Sequence, residues 1–204
     1  INVAEGGKTY SSKDGVVYSA DGTTLLYCPA EKTSISFDKN TTTFGKYAFY
    51  KSKINSMELP EKLETIGDAA FYSSSVKYLK FPDTVRKIGK NAFFNAAIQS
   101  VSLNEGLETI GGHAFSAAHI GGITIPASVK SIGEWNFDYD YGTDKYIVIK
   151  GSDTTIGTSA IPSWYAVDVY APSGSKAEEY VNNAKASGSS KLKFHPIDEF
   201  VAAT

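Results

Sequence analysis

The chain has 204 residues, enough to bury a substantial core, and its 42% hydrophobic and 21% charged side chains are the balance of a folded protein, excluding a disordered or coiled-coil one. Its 20 basic and 22 acidic side chains, with no Lys/Arg run, leave no counterion-release footprint for nucleic acid. The single cysteine, Cys28, excludes an internal disulfide, and no apolar run approaches the roughly 18 residues needed to cross a bilayer. In chain order, Ile1-Asn2-Val3 reads as the strand of an earlier coil, so the architecture is expected to be entered part-way along. Tyr10 to Tyr18 and Ser19 to Tyr27 then carry Asp14-Gly15 and Asp21-Gly22 turn signals between β-rich runs, which predicts a hairpin inserted between coils.

Next comes a repeat. Ala48-Phe49, Ala70-Phe71, Ala92-Phe93, Ala114-Phe115 and Asn136-Phe137 recur every 22 residues. Phe44-Gly45, Ile66-Gly67, Ile88-Gly89, Ile110-Gly111 and Ile132-Gly133 keep the same step. So do Leu59-Pro60, Phe81-Pro82, Leu103-Asn104 and Ile125-Pro126, with Phe37-Asp38 as a weaker first copy. Within one unit, Ile54 to Leu59 alternates apolar and polar as a strand buried on one face, and Pro60 removes a ladder donor and stops it. The Leu63 to Ile66 spacing predicts a helical or 3₁₀ turn, and Gly67 a bend at positive φ. Ala-Phe then inserts one large ring beside a small side chain. Such a unit cannot bury its own apolar face, so the coils are expected to stack and align Leu59, Phe81, Leu103 and Ile125 in one core.

After the fifth unit the period lengthens by two residues, with the extra length in Asp138 to Asp144. A sixth strand is predicted at Ile147-Val148-Ile149, followed by Ile156-Gly157 and Ala160 as landmarks, and a seventh at Val167 to Tyr170. Ser175 with Glu178 forms a capping box, and Ala177, Tyr180, Val181 and Ala184 make one apolar stripe, predicting a helix that covers the end of the stack. A final short strand is predicted near Leu192-Lys193-Phe194.

With these landmarks in place, the unit resembles the BspA-type (Treponema pallidum-type) leucine-rich repeat, in which a strand ending in Leu-Pro precedes Val-x-x-Ile-Gly and Ala-Phe. The resemblance covers residues 33–162, and the Tyr10 to Val16 and Ala171 to Glu178 segments also resemble family elements. It implies an α/β repeat fold: a right-handed solenoid of 22-residue coils with a parallel concave β-sheet, short helical turns on the convex side and a C-terminal capping helix. The expected organisation is one domain, with a partial coil and hairpin over 1–32, regular repeats over 33–162, and a terminal strand, helix and tail over 163–204. Family members are mostly secreted or surface proteins of bacteria, some described as adhesins for host matrix proteins. The resemblance thus implies a non-catalytic, cell-surface or secreted recognition module for host extracellular-matrix proteins or glycans, or alternatively a stalk holding another domain away from the cell; a monomer is expected, as for most capped solenoids. Where the family often has Cys three residues after the Phe, this chain has Ser52, Ser74, Ala96 and Ala118. Asn104 stands in a Pro position, and Trp135-Asn136 replaces the small pair beside Phe137, so a distorted fifth coil is expected.

Outward strand positions should form ladders across the sheet: Ser34, Ser56, Tyr78, Ser100, Gly122 and Tyr146 in one, and Ser36, Glu58, Lys80, Ser102, Thr124, Val148 and Asp168 in the other. Ser56, Glu58, Tyr78, Lys80, Ser100 and Tyr146 are the candidate ligand-binding residues, with Tyr78 and Tyr146 as anchors. Glu58 and Lys80 are expected to pair across strands. Tyr139, Tyr141 and Trp164 form a second candidate contact patch. Asp138, Asp140 and Asp144 alternate as oxygen ligands for Ca²⁺ would, but without the ligand set of a recognised loop, so no metal and no cofactor is expected. Catalysis finds no foothold: His113, His119 and His195 have no zinc-site context, and Cys28 has no neighbouring base.

Overall fold

In the computed structural model, which describes residues 2–3, 8–137, 146–188 and 190–201, the repeat becomes a β-solenoid of about seven turns. Its interior is a spine of phenylalanines stacked coil on coil. Phe49 and Phe71 lie 4.7 Å apart with ring planes 2° from parallel, and Phe71, Phe93, Phe115 and Phe137 follow at 5.1, 5.3 and 6.2 Å. The Ala preceding most of these rings is fully buried and leaves room for the ring beside it. Phe81 and Ile125 are buried as the spacing predicts, and Leu59 and Leu103 pack partly buried against the same core. The residues at the family's Cys position, Ser52, Ser74, Ala96 and Ala118, are all buried, so the site asks only for a small side chain.

Two features of the unit differ from the sequence expectation. The segment expected as helical turns on the convex side is a parallel ladder instead. Thr43-Phe44, Thr65-Ile66, Lys87-Ile88, Thr109-Ile110, Ser131-Ile132 and Thr155-Ile156 pair successively with one residue facing inward in each. An i, i+3 apolar spacing is compatible with either form, and the stacked neighbour offers each amide a carbonyl that a lone helical turn lacks. The repeated glycine is likewise not a positive-φ residue. A Cβ on Gly67 would sit 2.5 Å from the Phe44 carbonyl oxygen, and one on Gly133 2.3 Å from the Gly112 nitrogen. Glycine is required there by the closeness of the adjacent coil. The left-handed conformation falls two residues later, at Tyr47, Ala69, Asn91, His113, Trp135 and Ser159, with φ between 51° and 59°.

That conformation shapes a turn stack. The amides of Ala48, Tyr50 and Ser52 donate back to Gly45, Tyr47 and Phe49, whereas those of Tyr47, Phe49 and Lys51 donate to Asp68, Ala70 and Tyr72 of the next coil. Alternation between own coil and neighbour satisfies every donor in the segment, and the pattern recurs in later coils. The fifth coil keeps this frame. Trp135 takes the left-handed position, and the Asn136 side chain donates to the Gly111 and Gly133 carbonyls, tying two coils together. Asn104 replaces Pro without breaking the turn: its side-chain amide donates to the Val85 carbonyl at 2.9 Å.

The ends are closed differently. Tyr10–Lys13, Val16–Ser19 and Thr24–Tyr27 form an antiparallel meander whose third strand pairs in parallel with Thr43-Phe44. The predicted hairpin is thus the edge of the long ladder, ahead of the first regular coil. Asp14 and Gly15, both at positive φ, make its tight turn. At the other end Gly122–Ile125, Tyr146–Ile149, Val167–Ala171 and Leu192–Pro196 pair in parallel in that order. The helix Lys176–Ala186 covers this end with Ala177 and Val181 buried. Ser175 caps it by accepting from the Glu178 amide, while the Glu178 carboxylate takes the Gly174 amide rather than that of Ser175. The Ser175 amide is already committed to Pro172, so the reciprocal arm of the capping box moves one residue upstream.

Candidate binding surface

The outward ladder forms as the alternation predicts over its middle coils. Ser56 bridges Tyr78, and Tyr78, Leu79 and Lys80 pair with Ser100, Val101 and Ser102. Leu79 is buried while Tyr78 and Lys80 project outward, the alternation expected of a strand covered on one face. Ser56, Glu58, Tyr78, Lys80, Ser100 and Ser102 line one shallow groove, open to solvent. Tyr78 is 55% exposed, and its hydroxyl donates to the Gln99 side-chain oxygen, so the ring is held in place over the neighbouring coil. The expected Glu58 to Lys80 pair does not form. Among the described residues the Lys–Glu bridges are Lys53–Glu31, Lys130–Glu108 and Lys150–Glu105, leaving both groove charges without an ionic partner. Glu58 lies beyond the single bridge that ends at Ser56, so no ladder holds it opposite Lys80.

The later part of the ladder departs from expectation. Tyr146 pairs with Gly122 and with Asp168, and Val148 pairs with Tyr170. Asp168 therefore belongs to the Tyr146 ladder and not to that of Val148. Any side chain on Gly122 would strike the Tyr146 ring, since a Cβ would lie 2.4 Å from it. Tyr146 is only 37% exposed, because Phe200 packs on it at 5.1 Å and on Tyr170 at 5.0 Å. Val148 is buried although it stands on the outward side. His195 stacks on Tyr170 and lies 2.9 Å from the Asp168 carboxylate, with Glu199 on its other nitrogen side. The chain's own segment around His195 and Phe200 thus packs on this face, while Tyr146 and Gly122 line a second depression that shares Ser100 and Ser102 with the groove.

Trp164, 46% exposed, rests against Trp135 and Tyr165. Its proposed companions Tyr139 and Tyr141, and the carboxylates Asp138, Asp140 and Asp144, lie outside the described residues. Among the described residues no group of three or more His, Cys, Asp and Glu side chains could hold a metal ion, and no helix is long and apolar enough to cross a membrane. Cys28 is buried, and burial pushes its thiol up to about 11, the opposite of an activated nucleophile. His113 and His119 occupy left-handed turn positions.

Sequence reasoning missed one further surface, on the turn stack. Tyr47 and Tyr50 are exposed, and with Tyr72 they line a second open depression. The spacing signal was present in the residue after each spine phenylalanine, Tyr50, Tyr72 and Phe94, but the register of the turn was needed to see that these rings adjoin.

The profile described as the BspA type leucine rich repeat region matches residues 24–144 in six copies. No curated protein matches significantly. Among solved structures, the pneumococcal vaccine antigen PcpA superposes with a TM-score of 0.58 at 21% identity, over 98% of this chain and 50% of that one. A leucine-rich cell surface protein of Faecalibacterium prausnitzii A2-165 gives a TM-score of 0.46 at 21% identity, over 81% of this chain and 56% of that one. A leucine-rich repeat protein of Bacteroides ovatus ATCC 8483 gives 0.37 at 16% identity, over 96% and 79%. The chain thus spans about half the length of the first two.

Proposed function

The chain belongs to the BspA-type leucine-rich-repeat family, and from that premise we propose that it is a non-catalytic, extracellular recognition module of a bacterial surface or secreted protein. The observation that carries the reading is the groove over Ser56, Tyr78 and Ser100. A large exposed ring is held in place by Gln99, with Glu58 and Lys80 beside it and no ionic partner for either among the described residues. A pre-positioned ring loses little side-chain entropy on binding, and free charges of both signs give a protein surface something to orient against. The partner class is host extracellular-matrix protein, with glycans as the second class. The names of the structural neighbours, a vaccine antigen and a cell surface protein, agree with an exposed location.

The stalk reading draws support from the opposite kind of surface. The ladder Thr43, Thr65, Lys87, Thr109, Ser131 and Thr155 is a polar stripe with no aromatic anchor. The deciding experiment is a binding screen against immobilised matrix proteins and a glycan array, run with Tyr78→Ala/Lys80→Ala and with Tyr146→Ala. Saturable binding abolished by the first variant and kept by the second places recognition in the groove. Absence of binding to every ligand moves the assignment to the stalk.

A further inference from the structure

Outside the groove, one corner of the turn stack carries an aromatic surface that the fold itself does not require. Tyr50 and Tyr72 lie 5.9 Å apart, Tyr72 and Phe94 stack at 4.9 Å, and Tyr47 meets Tyr50 edge-on at 5.8 Å. None of the four belongs to the buried core, and Tyr47 and Tyr50 are 47% and 42% exposed. Two ammonium groups flank them: Lys46 Nζ lies 5.4 Å from the Tyr47 ring centre, and Lys51 Nζ lies 5.2 Å from that of Tyr50. Neither lysine takes part in a Lys–Glu bridge among the described residues. Asp68, the acidic residue of the neighbouring coil, accepts from the Lys90 amide.

Tyr47 holds its ring out from a turn position of the repeat. It sits in the left-handed region at φ 59°, a position that recurs as Ala69, Asn91, His113, Trp135 and Ser159 in later coils. A β-carbon in that conformation crowds the backbone, and each of these coils accepts this strain at the same position. At 47% exposure the Tyr47 ring recovers little of that cost by burial.

We propose that Tyr47, Tyr50 and Tyr72, with Lys46 and Lys51, form a binding site for an oligosaccharide that carries a carboxylate. The site is independent of the groove. The apolar C–H face of a pyranose ring packs on the face of a single exposed tyrosine ring, phenol hydroxyls meet sugar hydroxyls, and the two ammonium groups draw the carboxylate. A quaternary ammonium ligand is disfavoured, because the two lysine ammonium groups beside the rings would repel a second cation. A nucleic-acid strand is disfavoured as well, because two cations on a chain of net charge −2 neutralise too few phosphates.

The test is titration calorimetry of the whole chain with a hyaluronan tetrasaccharide and with 3′-sialyllactose, using uncharged cellotetraose as the control. At least one carboxylated probe is expected to bind saturably, with a dissociation constant of about 1 mM or below, and cellotetraose at least about fivefold more weakly. Lys46→Gln/Lys51→Gln should weaken the acidic probe about fivefold or more, and Tyr50→Ala should abolish binding while Tyr50→Phe retains it. Tyr78→Ala should change nothing. The lysine pair lies outside the ring stack, so it decides the question even if Tyr50→Ala unfolds the coil. The proposal is overturned if neither acidic probe binds up to about 10 mM, if cellotetraose binds as tightly, or if the lysine variant binds like the parent.

Discussion

Gly89→Ala adds one methyl group where two coils nearly touch. The new Cβ would lie 2.6 Å from the Asp68 amide nitrogen, from its side-chain oxygen and from the Gly67 carbonyl carbon. Ordinary contact needs nearly an ångström more, so the coils must part by about 0.8 Å. That movement strains the Gly89 amide bond to Ile66, now 2.8 Å, and the Lys90 amide bond to Asp68, now 2.9 Å. Each weakened bond costs about 1–3 kcal/mol, so a loss of roughly 2–6 kcal/mol is expected. Gly174→Ala makes the comparison. Its φ is +77° with nothing within 4 Å of a Cβ, so the cost is only backbone strain, about 1–2 kcal/mol. Asparagine separates the two causes, because it tolerates positive φ but is larger than alanine. Equilibrium urea unfolding followed by far-UV circular dichroism should rank Gly89→Asn below Gly89→Ala, and Gly174→Asn at or above Gly174→Ala. Gly89→Asn proving more stable than Gly89→Ala would refute the close-approach account and restore the positive-φ reading.

Phe93→Ala removes a ring stacked at 5.1 and 5.3 Å on both sides, and a loss of about 3–5 kcal/mol is expected in the same assay; Phe94→Ala, on the surface stack, should cost far less. Ser74→Ala should stabilise the chain or leave it unchanged, within about 1 kcal/mol, because the hydroxyl is buried with no hydrogen-bond partner among the described residues and later coils carry Ala96 and Ala118 there. Cys28 should resist a thiol reagent at pH 8 in the folded protein and react on unfolding. Its thiol, raised by burial from 9.0 to about 11, favours the protonated form in the folded state. The stabilisation is therefore complete below pH 9 and lost as pH rises from 9 towards 11, and the difference in urea midpoint between the parent and Cys28→Ala should shift across that window. A difference that stays constant from pH 7 to pH 11 would contradict it.

The 22-residue period by itself determined the stack, the phenylalanine spine and the ladder from Ser56 through Tyr78 to Ser100. A strand side-chain period of two and a fixed coil length leave one register in which Leu79 and the spine share an interior. The helix start at Ser175 was equally legible, because capping is a local hydrogen-bond problem. Distances between coils were not legible. A glycine in sequence records that a side chain is excluded, but whether a dihedral angle or a neighbouring carbonyl excludes it depends on the stacking, and here the neighbour decides. The pairing of Asp168 with Tyr146 follows a break in the period, where repeat arithmetic no longer fixes register. Phe200 over Tyr146, and the rings of Tyr47, Tyr50 and Tyr72 beside two lysines, are contacts between residues of different coils or segments. Only the folded chain brings them together, because side-chain neighbours across a solenoid are set by the rise and lateral offset of each coil on the last.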